Sequence, residues 1–171
     1  NRKLTITKRY DRGLPKLNLD RQLVHIVFQN LMTNAVKYTP PGGTITIELT
    51  ALDKEDISHA PVECPPGKLL LCAVTDTGYG IPKEAQGKVF TKFFRADNVK
   101  GKDQDGSGLG LYIVKSLVGL LKGAIWFKSP GSPVAKGKSR QRKGTTFYVA
   151  IPLKKRKLFS LRSNQGKFAA R

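Results

Sequence analysis

The segment between Asp20 and Tyr38 sets the terms on which this chain can fold. Apolar side chains at Val24, Val27, Phe28, Leu31 and Ala35 recur at spacings of three and four, which predicts a long helix with one greasy face. Asp20 stands where an N-cap is wanted, and Pro40-Pro41-Gly42-Gly43 stops the helix. Immediately beyond, Thr44-Ile45-Thr46-Ile47-Glu48-Leu49 alternates with the period of two expected of a half-buried strand. A one-faced helix and a one-faced strand each need a layer to pack on, so both have to share a core.

The remaining chain supplies more of the same layers. Leu4 to Thr7 alternates as a strand, and Leu69 to Val74 is an apolar run of buried-strand type. The segment from Asp53 to Lys68, rich in Pro and charge, predicts an exposed hairpin loop. A helix opens at the glycines from Gly106 to Gly110 and runs to about Leu121; Ala124 to Lys128 and Thr145 to Pro152 form a closing strand pair. At 171 residues the expectation is one core, a domain over residues 1–153 and a basic tail over 154–171.

Charge is unevenly distributed. All twelve acidic residues precede Gly106, whereas fifteen of the 31 Lys and Arg follow it, within a net charge of +19. Such a field draws anions without choosing among them, which leaves nucleotide, nucleic acid, anionic lipid and acidic protein open as partners. Two cysteines, Cys64 and Cys72, cannot form a disulfide framework, and with His25 and His59 they make no zinc pattern, so a reduced, cytoplasmic setting is the default. The apolar stretch Ile113 to Leu121 is interrupted by Lys115 and falls short of the roughly 20 residues of a membrane span. The chain begins without Met or a signal-peptide core, the pattern expected of a fragment of a longer protein.

Three elements carry chemistry. Asn30, Asn34, Lys37 and Tyr38 share one helix stripe, and an Asn side-chain oxygen is a suitable hard ligand for Mg²⁺ beside phosphate. Asp76-Thr77-Gly78-Tyr79-Gly80-Ile81-Pro82 follows the apolar strand, placing a carboxylate beside glycines that admit a planar ligand; such a carboxylate accepts from an exocyclic amine. Gly106-Ser107-Gly108-Leu109-Gly110-Leu111 opens a helix whose first N–H groups can meet phosphate. Two superficially similar patterns fail. Gly131 to Ser139 has one residue too many between its glycines for a P-loop, and Leu111 stands where a dinucleotide fingerprint needs its last glycine.

Taken in order, NLMTNAVKYT (30 to 39), DTGYGIP (76 to 82), KVFTKFFRAD (88 to 97) and GSGLGLYIVK (106 to 115) resemble the N, G1, F and G2 boxes of the ATP-binding catalytic domain of sensor histidine kinases. The resemblance covers about residues 3 to 153. It implies the two-layer α/β sandwich of Bergerat type shared with gyrase-type and MutL-type ATPases, a mixed sheet with helices on one face. It also implies ATP and Mg²⁺, with Asn34 as metal ligand and Asn30 one turn earlier near metal and phosphates. Lys37 and Arg95 would contact phosphates, and Tyr38 would stack on adenine. Asp76 would receive the adenine amine in a pocket shaped by Gly78, Gly80 and Ile81. Phe90, Phe93 and Phe94 match the F box. Gly106, Gly108 and Gly110 would hinge and close the lid, with Ser107 among the cofactor-binding residues, Leu109 and Leu111 lining the pocket and Thr146 near the adenine. The polar segment from Ala96 to Asp105 would be the lid.

The implied reaction moves the ATP γ-phosphoryl to a histidine on a dimerisation hairpin. Neither His25, inside the long helix, nor His59, in the Pro-rich loop, has the context of that acceptor, so the hairpin is expected on another segment. A response-regulator receiver domain and a homodimeric full-length protein are the further implied partners, with membrane anchoring of that protein left open. The rival enzyme is a water-directed ATPase of the same superfamily, which places a glutamate at the position held here by Asn30; an amide cannot serve as general base. The non-enzymatic rival is a nucleotide-dependent interaction module whose basic tail binds nucleic acid; tail contact with nucleic acid or anionic membrane is a lesser expectation than a solubilising role.

Overall fold

The computed structural model describes residues 3–14, 19–97, 107–129 and 144–153. The expected lid from residue 98, Gly106, the basic loop between residues 130 and 143, and the tail from 154 lie outside the described residues.

Strand β1 (Thr5–Tyr10) leads to helix α1 (Arg21–Tyr38), whose start is set by the Asp20 carboxylate accepting from the backbone N–H groups of Gln22 (2.9 Å) and Leu23 (3.2 Å). At the far end Thr39 is fully buried and its hydroxyl donates to the Ala35 carbonyl (2.6 Å). Strand β2 (Thr44–Asp53), a 3₁₀ turn (Lys54–Ile57), strand β3 (Lys68–Asp76), a one-turn helix α2 (Lys83–Gln86), helix α3 (Gly110–Leu120), and strands β4 (Ala124–Lys128) and β5 (Thr145–Pro152) follow.

The strands form one five-stranded sheet in the order β1-β2-β3-β5-β4. Only the β1–β2 pair is parallel, so the sheet is mixed. Alternate residues of a strand point to opposite faces. One face of β3 and β5 (Val74, Val149, Ile151) meets Val27, Leu31 and Ala35 of α1 and Val114 and Val118 of α3 in the main core. This is the α/β architecture that the resemblance implied, with both long helices on one side of the sheet.

The other face corrects one expectation. Leu69, Ala124, Trp126 and Ala150 point away from the helices and cannot be left wet. Part of the segment read as an exposed loop covers them, burying Ile57 and Cys64 in a second cluster. Trp126 stacks on Tyr148 there, with ring centroids 5.2 Å apart. No helix among the described residues is long and apolar enough to cross a membrane.

Candidate functional site

The C-terminal half of α1, the end of β3 and the start of α3 meet around two joined cavities. The inner one has apolar walls from Ile81, Val89, Leu111 and Phe147 and a polar end formed by Asp76 and Thr145. The outer one is lined by Asn30, Thr33, Lys37, Ser107, Gly108, Leu109 and Gly110. Asn34, Tyr38, Phe94 and Arg95 stand at the junction and line both.

Asp76 is held in the inner cavity by two backbone amides. Its register with Thr145 across β3 and β5 brings the Thr145 N–H to Oδ1 (3.2 Å), and the Gly78 N–H donates to the same oxygen (2.7 Å). Among the described residues no hydrogen bond engages Oδ2, which leaves that oxygen as an acceptor for a ligand. Burial pushes the Asp76 carboxyl above the ordinary carboxylate range, and the two backbone amides oppose the shift. Gly78 itself does not line either cavity. A Cβ there would collide with the Tyr38 carbonyl and Asp76 Oδ1, so glycine lets the turn lie against the end of α1, where the Tyr79 N–H donates to that carbonyl (3.2 Å). The Tyr38 hydroxyl is also raised, by burial first and against the lowering effect of the Arg95 charge.

In the outer cavity the Asn30 amide is oriented. Its Nδ2 donates to the Ile26 carbonyl (2.8 Å), so Oδ1 points toward the first turn of α3, where a Cβ on Gly110 would come within 2.9 Å of it. Gly108 adopts φ +69° with its Cα packed against the Phe93 backbone, a place no larger residue fits. Phe93 itself is 71% exposed and left-handed (φ 60°), whereas Phe90 is a core aromatic in edge contact with Phe127 and Phe147. The three phenylalanines therefore do three different things, with only Phe94 lining the cavities.

The donor set suits a hard cation. Asn34 and Asn30 both line the outer cavity and bring amide side chains to it, and among the described residues no cluster of His, Cys, Asp or Glu offers a different kind of metal site. Any Mg²⁺ here would take few protein ligands and complete its shell with water and phosphate oxygens.

Thr146 is a correction. Its hydroxyl pairs with Thr75 (3.0 Å) on the sheet face away from the cavities, because strand alternation turns it outward; Thr145 occupies the pocket position instead. Gly106 lies outside the described residues. Of the other expected residues, Gly78, Phe90 and Phe93 line neither cavity, and the rest gather around the two. The sequence reading missed Thr145, Val89, Phe147, Gln86 and Ser129. Thr145 and Phe147 flank Thr146 in Gly144-Thr145-Thr146-Phe147 and Val89 lies within KVFTKFFRAD, whereas Gln86 and Ser129 carried no signal.

Residues 19–155 match the family described as histidine kinase-, DNA gyrase B-, and HSP90-like ATPase. The sensor histidine kinase WalK of Bacillus subtilis (strain 168) is 33% identical over 147 residues, covering 84% of this chain and 20% of WalK. This chain thus spans about a fifth of that relative's length. The solved mycobacterial sensor histidine kinase MprB is similar with a TM-score of 0.65 at 27% identity, covering 88% of this chain and 84% of that one. Full-length ShkA, solved in complex with AMPPNP, shares the fold (TM-score 0.60, 23% identity, 87% of this chain and 25% of that one).

Proposed function

Because the chain belongs to the histidine kinase-, DNA gyrase B- and HSP90-like ATPases and is a catalytic ATP-binding domain of histidine-kinase type, we propose that it transfers the ATP γ-phosphoryl to a histidine carried by a dimerisation hairpin outside this chain. One observation carries the choice of transfer over hydrolysis. Among the described residues lining the outer cavity, where the γ-phosphate would lie, none is Asp, Glu or His, and Asn30 holds the place from which a carboxylate would activate water.

In this reading adenine enters the inner cavity and donates its amine to Asp76 Oδ2, with Tyr38 against the base. The phosphates extend past Asn34 into the outer cavity, where Lys37 and Arg95 neutralise their charge. AMPPNP bound to ShkA is consistent with a nucleotide of this kind. Asn34, with Asn30 nearby, would hold Mg²⁺, whose contribution when bound is to neutralise charge on the phosphate oxygens. The chain's own residues act by positioning and charge stabilisation rather than covalently. An imidazole nitrogen of the hairpin attacks phosphorus, the bond to the β-phosphate oxygen breaks, ADP leaves, and the imidazole loses its N–H proton to solvent. The full-length kinase works as a homodimer where ATP is supplied, in the cytoplasm, and the receiver domain of a partner response regulator then accepts the phosphoryl.

The test supplies a purified histidine-bearing hairpin with this chain, labelled ATP and Mg²⁺. Acid-labile, base-stable label on the hairpin is the expected result. Phosphate released at the same rate with or without the hairpin, and no label on it, would refute transfer in favour of hydrolysis.

A further inference from the structure

Ser129, the last described residue after β4, ties three walls of the inner cavity together. Its Oγ accepts from the Ile81 N–H (2.8 Å), donates to the Gly144 carbonyl (3.0 Å) and lies 3.1 Å from the Thr145 hydroxyl. Gln86 secures the same junction from α2, its Nε2 donating to the carbonyls of Ile81 (3.0 Å) and Ser129 (3.2 Å). A serine hydroxyl has one proton and two lone pairs, and here each has a partner. The proton goes to Gly144, so the contact with Thr145 has only one polarity: the Thr145 hydroxyl donates and Ser129 accepts.

That polarity reaches the pocket. With its proton directed to Ser129, Thr145 can offer a bound base only oxygen lone pairs, and an ionised Asp76 offers Oδ2 likewise as an acceptor. We infer that Ser129 is a specificity-determining positioning residue, which by fixing the Thr145 hydroxyl makes the polar end of the base pocket acceptor-only and so selects adenine over guanine. The inference rests on the adenine-site reading above. With the phosphates held in the outer cavity and the 6-position turned to Asp76, a 6-amino group meets two acceptors and is satisfied, whereas the 6-oxo group of guanine meets oxygens and is left unpaired; guanine could offer its N1–H and 2-amino donors instead only by shifting its ribose and phosphates from that placement. Sites that leave a buried polar group unpaired discriminate far more strongly than sites that only miss a shape.

Calorimetry with ADP and GDP tests this on the whole chain. Ser129→Ala frees the Thr145 proton to turn into the pocket, so ADP affinity should fall on the order of tenfold while the ADP-over-GDP preference drops by at least as much. Ser129→Thr, which keeps the hydroxyl, should restore the preference. Thr145→Val should lower the preference too, and adding it to Ser129→Ala should cause no further drop, since both act through one hydroxyl. A purely structural role for Ser129 would weaken both nucleotides equally; an unchanged ADP-over-GDP ratio in Ser129→Ala overturns the inference. If that variant loses its far-UV circular dichroism, Thr145→Val alone decides by the same ratio. Wild-type protein that binds GDP as well as ADP also overturns it, while wild type that binds neither overturns the adenine-site reading and the inference with it.

Discussion

Replacing Asp76 with asparagine isolates the proposed base contact with little change of shape. The carboxylate is 7% exposed, and its Oδ1 is held by the amides of Gly78 (2.7 Å) and Thr145 (3.2 Å). An asparagine keeps those two bonds only by turning its oxygen toward them, which aims its NH₂ at the position of Oδ2. Adenine's amine then meets a donor instead of an anionic acceptor. Loss of one hydrogen bond to a charged group costs about 1.5–3 kcal/mol, or roughly 10- to 150-fold in affinity for ADP.

Stability should move the other way. Burial raises the Asp76 carboxyl, so the folded chain binds that proton more tightly than the unfolded one. The contribution favours folding at low pH and is lost as pH rises through the raised value, above which the ionised group is a net burden. Asp76→Asn removes that burden, so its melting temperature at pH 7 should equal or exceed that of wild type. For binding, the acceptor disappears when Asp76 is protonated. Wild-type affinity for adenosine, which has no phosphate to titrate, should decline as pH falls through the raised value, and the variant should show no such decline. Calorimetry giving equal ADP affinity for the two proteins would refute the assignment, as would a loss of affinity accompanied by a matching loss of melting temperature.

Two further outcomes are expected. Asp20→Ala strips the first turn of α1 of its cap and should destabilise the domain by about 1 kcal/mol in urea titration; an unchanged midpoint would show that the helix start is held by packing instead. Deleting residues 154–171 should leave ADP affinity within error, because every residue assigned to the site precedes them, and should flatten the salt dependence of duplex DNA binding by about 0.9 in log–log slope per phosphate contact removed. Collapse of ADP binding would make the tail part of the domain and move its boundary beyond Leu153.

The sequence by itself determined whatever is encoded within one segment. The apolar spacing of Val24, Val27, Phe28, Leu31 and Ala35, with Asp20 before it and Pro40 after it, specifies α1, and the same helix periodicity puts Asn30, Asn34, Lys37 and Tyr38 on a common stripe. The glycines at 78, 80, 108 and 110 announce tight backbone approaches without saying what approaches. Tertiary structure decided everything that depends on pairing distant segments. Thr145 rather than Thr146 faces the base pocket because β5 pairs with β3 so that Thr145 lies opposite Asp76, and a one-residue slip in that register would exchange them. Part of the segment between Asp53 and Lys68 is a lid on the second sheet face because Trp126 and Ala150, far along the chain, need covering. Ser129 matters only because folding brings Ile81, Gly144 and Thr145 within reach of one hydroxyl. A local pattern records which way a side chain points relative to its neighbours in sequence, and only the assembled sheet supplies what it points at.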